Sequence, residues 1–186
     1  QDILVQTEYR QVNKNSESIA DFSFKKYNEK SSTKSHFFSN SLVNLGLSGF
    51  DESNLKIQIQ QTSSNNYLKS HKIKSPLIDN FTTLKNLISF TGSSESISLE
   101  GNIEVYEDLS KVRDNDRYEL IPNYRFSKLF DNIGNLAGNF TFSSFGNRKL
   151  FETNVLESKV VNDLSYNSNS FLFDNGVTNN YSILLK

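Results

Sequence analysis

The stretch Ile97-Ser98-Leu99-Glu100-Gly101-Asn102-Ile103-Glu104-Val105 alternates apolar and polar residues without a break. Successive side chains of an extended strand point to opposite faces. Ile97, Leu99, Gly101, Ile103 and Val105 therefore share one face, and Ser98, Glu100, Asn102 and Glu104 share the other. The same period of two recurs in Leu55, Ile57 and Ile59 against Lys56, Gln58 and Gln60. It recurs again in Leu136, Gly138, Phe140 and Phe142 against Ala137, Asn139, Thr141 and Ser143. Each such strand has one oily side and one wet side. Two architectures need strands of this kind, a membrane-spanning β-barrel and a large soluble β-sheet.

Alternation and turn signals predict about ten strands, over 3–12, 17–27, 35–48, 54–63, 82–91, 95–106, 118–129, 135–145, 155–166 and 179–186. Many are near the roughly 9–11 residues with which a tilted strand crosses a bilayer. Phe171, Leu172 and Phe173 are an alternative short strand ahead of Asp174-Asn175-Gly176. No helix is predicted. The links alternate in length: 49–53, 92–94 and 131–134 are short, whereas 65–81, 107–117 and 146–154 are longer. Outer-membrane barrels have this parity because periplasmic turns are tight and external loops long. Pro76 falls in a long loop. Pro122 falls within a strand-like run and has no ladder donor, which predicts an edge, a bulge or a kink there.

Net charge is −1, from 20 basic and 21 acidic residues, so no overall bias points to nucleic acid or an anionic surface. Only 35% of residues are hydrophobic, lean for a thick soluble core and suited to a wall with a wet interior. The chain has no cysteine, which excludes a disulfide framework and a thiolate zinc site. No stretch approaches the roughly 20 apolar residues of a membrane helix, and no signal peptide is visible. The chain starts at Gln1 and contains no methionine, so it reads as a processed chain or a fragment. The abundant Asn and Ser are turn formers.

Residues with chemical potential are few. There are two histidines, His36 and His71. A Ser–His–Asp nucleophile needs three groups converging in space, which spacing alone does not supply. Surface or rim positions are expected for both. Asp114, Asp116 and Glu119 surround Arg113 and Arg117. An external cation site for phosphorylated headgroups is one reading, but the spacing matches no calcium loop, and a solvated, self-neutralising loop is expected. Gly101 and Gly138, inside apolar faces, mark close packing or a bulge. Tyr106 and Tyr118 flank a long loop, where an interfacial girdle would sit. Three Asn-x-Ser/Thr sequons, at Asn80, Asn139 and Asn180, are coincidental in so Asn-rich a chain. No catalytic, cofactor or metal residue is assigned, and no enzymatic activity is expected.

His36-Phe37-Phe38-Ser39-Asn40-Ser41-Leu42, the tight turn over 49–54, Leu55-Lys56-Ile57-Gln58-Ile59-Gln60-Gln61-Thr62 and Asn66-Tyr67-Leu68-Lys69 resemble early barrel strands of one family. It is the LPS-assembly protein LptD family, also called organic solvent tolerance protein. Ile103-Glu104-Val105-Tyr106-Glu107-Asp108-Leu109 and Asn115-Asp116-Arg117-Tyr118-Glu119-Leu120-Ile121-Pro122 resemble the next strand–loop–strand of that family. The resemblance covers residues from about 35 to 166. It implies a Gram-negative outer-membrane translocon that inserts lipopolysaccharide (LPS) through a lateral opening into the outer leaflet. The implied partners are the plugging lipoprotein LptE, the periplasmic bridge protein LptA, LPS and the bilayer. The family's disulfides have no counterpart here, and no functional residue carries over.

The expected fold is therefore all-β, an antiparallel up-and-down meander of about ten strands forming an open segment of a large outer-membrane β-barrel. Residues 1–186 are read as one partial barrel domain, with the periplasmic domain and remaining strands absent. Leu55, Ile57, Ile59, Ile97, Leu99, Ile103 and Val105 are expected to face lipid. The alternatives are a soluble secreted β-sheet module for glycan binding or adhesion, and another porin or receptor barrel.

Overall fold

The computed structural model of the chain describes residues 3–26, 33–111, 117–133, 136–151 and 154–186. The protein is all-β. Nine long strands follow one another as β1 (Ile3–Asn13), β2 (Ser16–Lys26), β3 (Thr33–Asn44), β4 (Glu52–Thr62), β5 (Thr83–Ser93), β6 (Ile97–Asp108), β7 (Tyr118–Ile133), β8 (Leu136–Phe151) and β9 (Val155–Ser168). A small hairpin, β10 (Phe171–Leu172) and β11 (Thr178–Asn179), precedes the edge strand β12 (Ser182–Leu185). One short helix, α1 (Tyr67–His71), lies between β4 and β5.

Each of β1 to β8 pairs antiparallel with the next, and β12 pairs with β9, giving a single open sheet of ten strands. The predicted strands match closely from β1 to β9. β3 stops at Asn44 rather than 48. The expected strand over 179–186 is divided, with Thr178–Asn179 closing the small hairpin across a turn at Gly176 (φ +82°) and β12 starting at Ser182. The predicted absence of helix is corrected by α1, whose five residues are too few for a 3.6-residue period to register.

The link parity holds along the first part of the chain and then fails. β8 stays in its ladder through Phe151, which faces Val155, so the link expected over 146–154 shrinks to 152–154. β7, β8 and β9 have 16, 16 and 14 residues where the earlier strands have 11 or 12. Residues composed like a loop, such as Gly146 and Asn147, thus lie inside a long strand.

Pro122 is not at an edge. It sits in β7, which has neighbours on both sides, opposite Ile103 of β6. On the β8 side the ladder runs from Asn123↔Asn147 and resumes at Leu120↔Leu150, with a gap at 121–122 and no change of register. The missing donor of Pro122 therefore interrupts the ladder without bulging it.

The register climbs. Straight across the ladder, Asn44 at the end of β3 faces Asn54, then Thr91, Glu100, Arg125 and Phe145, and the row ends at Val161 in the middle of β9. Each strand is displaced along its neighbours, and the displacement accumulates in one direction.

Candidate functional site: two faces and a docked segment

The register assigns strand residues to one of two faces, with Leu84 near the start of β5 the exception: it has the parity of Ile88 and Phe90 but is buried with Phe38. One face collects Phe22, Phe24, Phe37, Leu55, Ile57, Ile88, Phe90, Ile103, Val105, Phe126, Phe142, Val160 and Leu164. All the residues expected to meet an apolar environment, from Leu55 to Val105, lie here. Ile88, Ile103 and Val160 are each at least half exposed. No second sheet or helix covers this face among the described residues.

The other face is mostly polar and is stitched by side chains. Lys85 Nζ lies 3.4 Å from Glu104 Oε2, and Lys149 Nζ lies 3.4 Å from Glu119 Oε2. Asn102 Nδ2 donates to Asn123 Oδ1 at 3.0 Å across β6 and β7. Tyr106 belongs to this face, because its hydroxyl donates to Glu104 Oε2 at 2.7 Å and Lys85 Nζ stands over its ring. That corrects its expected place in an outward girdle. Tyr118, opposite Glu107, does lie on the apolar face and is exposed.

The segment between β4 and β5, including α1, folds down onto the polar face. Tyr67, Leu68 and Ile73 from this segment pack with Phe38, Leu84 and Leu109 in the buried cluster, flanked by Leu77 and Ile78. Phe37 and Phe38 illustrate the two environments: Phe37 is 44% exposed and Phe38 is 0% exposed. Each of these apolar side chains contributes about 1.5–3 kcal/mol when buried. Polar side chains of the sheet then hold the segment's backbone. Gln60 Nε2 donates to Leu77 O, while its Oε1 accepts from Lys85 N at 2.7 Å. Gln6 on β1 donates to Lys74 O. The segment thus reaches from β4 across to the edge strand.

Beneath it lies a buried polar knot. Ser23 Oγ is 2.7 Å from His36 Nδ1 and 2.7 Å from Tyr67 Oη. His36 Nε2 is 3.5 Å from Asp21 Oδ1, and Asp21 accepts from Gln6 Nε2. Serine, histidine and aspartate do converge, but not as a hydrolytic triad. In such a triad Nε2 receives the serine proton and Nδ1 donates to the carboxylate. Here the two nitrogens are exchanged, Tyr67 contacts the serine, and Asp21, Ser23 and His36 are all buried. His36 is 3% exposed, which corrects its expected rim position. His71 ends α1 with its ring edge-on to Tyr67 at 4.9 Å. The knot ties β2 and β3 to Tyr67 of the docked segment.

Asp114, Asp116 and Arg113 lie outside the described residues. Of their neighbours, Arg117 pairs with Glu107 and Glu119 faces Lys149, so these two charges are met by side chains rather than held for an ion. Gly138, at φ +148°, is a close-packing position: a Cβ there would meet Asn167 O at 2.4 Å. Gly101 differs, since a Cβ there would meet nothing within 4 Å.

No helix among the described residues is long and apolar enough to cross a membrane. No family model, curated protein or solved structure matches the chain.

Proposed function

We propose that this chain is a stretch of the wall of a large outer-membrane β-barrel, and that the barrel passes LPS to the outer leaflet. The observation that carries the wall reading is the asymmetry of the single sheet. Its apolar face stands bare across ten strands, while its polar face carries a docked segment. A soluble sandwich would bury the apolar face under a second sheet. In a barrel, hydrocarbon meets that face and the polar face lines the lumen. The segment 63–82 then folds inward over the lumen.

The LPS reading rests on the resemblance of residues 35–166 to the LPS-assembly family. It assigns no catalysis. Ser, Thr, Asn, Gln and paired charges on the inner face solvate sugar headgroups on their way out. LptE and LptA are the protein partners this reading assigns, and the outer membrane is the location.

A photocrosslinking residue at Asn102 or at Ile103 of the intact protein tests it in cells. Position 102 is expected to capture LPS sugar or protein in the lumen, and position 103 is expected to capture lipid chains. Absence of any LPS adduct from the inner face overturns the transport reading. A protein that stays monomeric and dissolved without detergent overturns the barrel reading.

A further inference from the structure

A trough of about 560 Å³ crosses the apolar face over β5 to β9, running across the strands rather than along them. In one register row Phe90, Gly101, Tyr124, Gly146 and Val160 stand side by side. Two of these five are glycines, and at Gly101 the floor is bare backbone. The space above Gly101 is open to 4 Å. Over Gly146 lies the Tyr124 ring, so close that a Cβ would meet it at 2.2 Å, and the Tyr124 hydroxyl is fixed at 3.1 Å from Ser144 Oγ. Five strands at about 4.8 Å spacing give the trough a length of roughly 19 Å.

One end of this apolar channel carries a cation. Arg148, two residues beyond Gly146 on the same face, stands opposite Ser158. Both line the trough, and Arg148 makes no ion pair among the described residues. An arginine on a lipid-facing wall is costly unless an anion meets it. The planar guanidinium matches a phosphate through two parallel hydrogen bonds, and a serine hydroxyl adds a donor.

We propose that this trough binds one phosphorylated, two-chain bilayer lipid. The phosphate sits on Arg148 and Ser158, and one acyl chain lies across the Tyr124 ring and over Gly101 toward Phe90. The inference rests on the reading that hydrocarbon meets the apolar face. It concerns a resident lipid on the outer surface of the wall, not cargo in the lumen.

The intact protein in detergent, mixed with phosphatidylglycerol or with diacylglycerol and analysed by native mass spectrometry, tests the site. One phosphatidylglycerol per protein is expected to survive, with diacylglycerol retained at least tenfold less. Gly101→Leu puts a branched side chain into the open space above Gly101, and Arg148→Gln removes the cation. Each is expected to reduce phosphatidylglycerol retention about tenfold. Retention unchanged in both variants, or equal retention of the two lipids, overturns the site. Flotation of the wild-type protein with phosphatidylcholine vesicles separates the two levels. Entry with unaltered retention in the variants defeats the lipid site alone, whereas failure to enter vesicles defeats the wall reading with it.

Discussion

The Gln6 side chain on β1 donates to the backbone carbonyl of Lys74, 2.8 Å away and 68 residues further along the chain. The same amide nitrogen lies 3.1 and 3.2 Å from the two Asp21 carboxylate oxygens. One edge-strand glutamine therefore joins the docked segment to the buried polar knot.

Gln6→Ala should loosen that segment without unfolding the sheet. Loss of the hydrogen bond costs about 0.5–1.5 kcal/mol. Amide exchange over 63–82 should quicken by roughly a factor of 2–13, the Boltzmann equivalent of that range at 25 °C, while exchange in β7 and β8 stays unchanged. Uniform acceleration across all strands would show that the segment and the sheet open as one unit.

The two faces of β6 should respond oppositely to charge. Leu99→Arg or Ile103→Arg in the intact protein should lower folding stability in bilayers by about 2–4 kcal/mol. Asn102→Arg, on the polar face beside Asn123, should be tolerated. Reversible urea unfolding in vesicles measures the difference, and equal penalties on both faces would remove the membrane assignment.

The knot around His36 should matter for stability and not for hydrolysis. His36→Ala removes the Ser23 Oγ–Nδ1 contact and the imidazole packed beside Asp21, a loss of about 1–3 kcal/mol. Ser23→Ala should leave ester hydrolysis at background, and a fluorophosphonate probe should not label Ser23. Stoichiometric labelling of that serine would show a working nucleophile.

Two glycines in apolar rows should part company. Gly138→Ala combines a positive φ with a 2.4 Å approach to the Asn167 carbonyl oxygen, and should cost about 1–3 kcal/mol. Gly101→Ala enters open space and should change stability by less than about 0.5 kcal/mol. Denaturation midpoints of the two variants provide the comparison.

The strands were legible because alternation is a local property. Ile103 and Asn102 declare their faces within a few residues, and the meander order follows from short antiparallel links. The same alternation also contains the right answer for Tyr106, which shares parity with Glu104 and Asn102 and hence the wet face. Its position beside a loop suggested an outward girdle instead. Pro122 was read by its missing donor alone, whereas the ladder absorbs that loss as a two-residue gap.

The docked segment was not legible, for a different reason. Tyr67, Leu68 and Ile73 are too few and too irregular to show a helical or strand period, and their partner Phe38 looks identical in sequence to exposed Phe37. Asp21, Ser23 and His36 come together only through the β2–β3 register, which pairs Ser23 with His36. The trough on the opposite face depends on Gly101 and Gly146 falling into one row across β6, β7 and β8. Such lateral coincidences arise from pairing, which no single strand encodes.

The climbing register from Asn44 to Val161 has a geometric outcome for thickness. Rungs that step along the sheet force its staves to lean when it curls. An eleven-residue stave is about 36 Å long, and slanted by about 45° it rises roughly 26 Å. That matches the roughly 25 Å height of the greasy belt around outer-membrane cylinders. In the proposed barrel, strand length and stagger are thus two halves of one dimension, and neither alone would fit the slab.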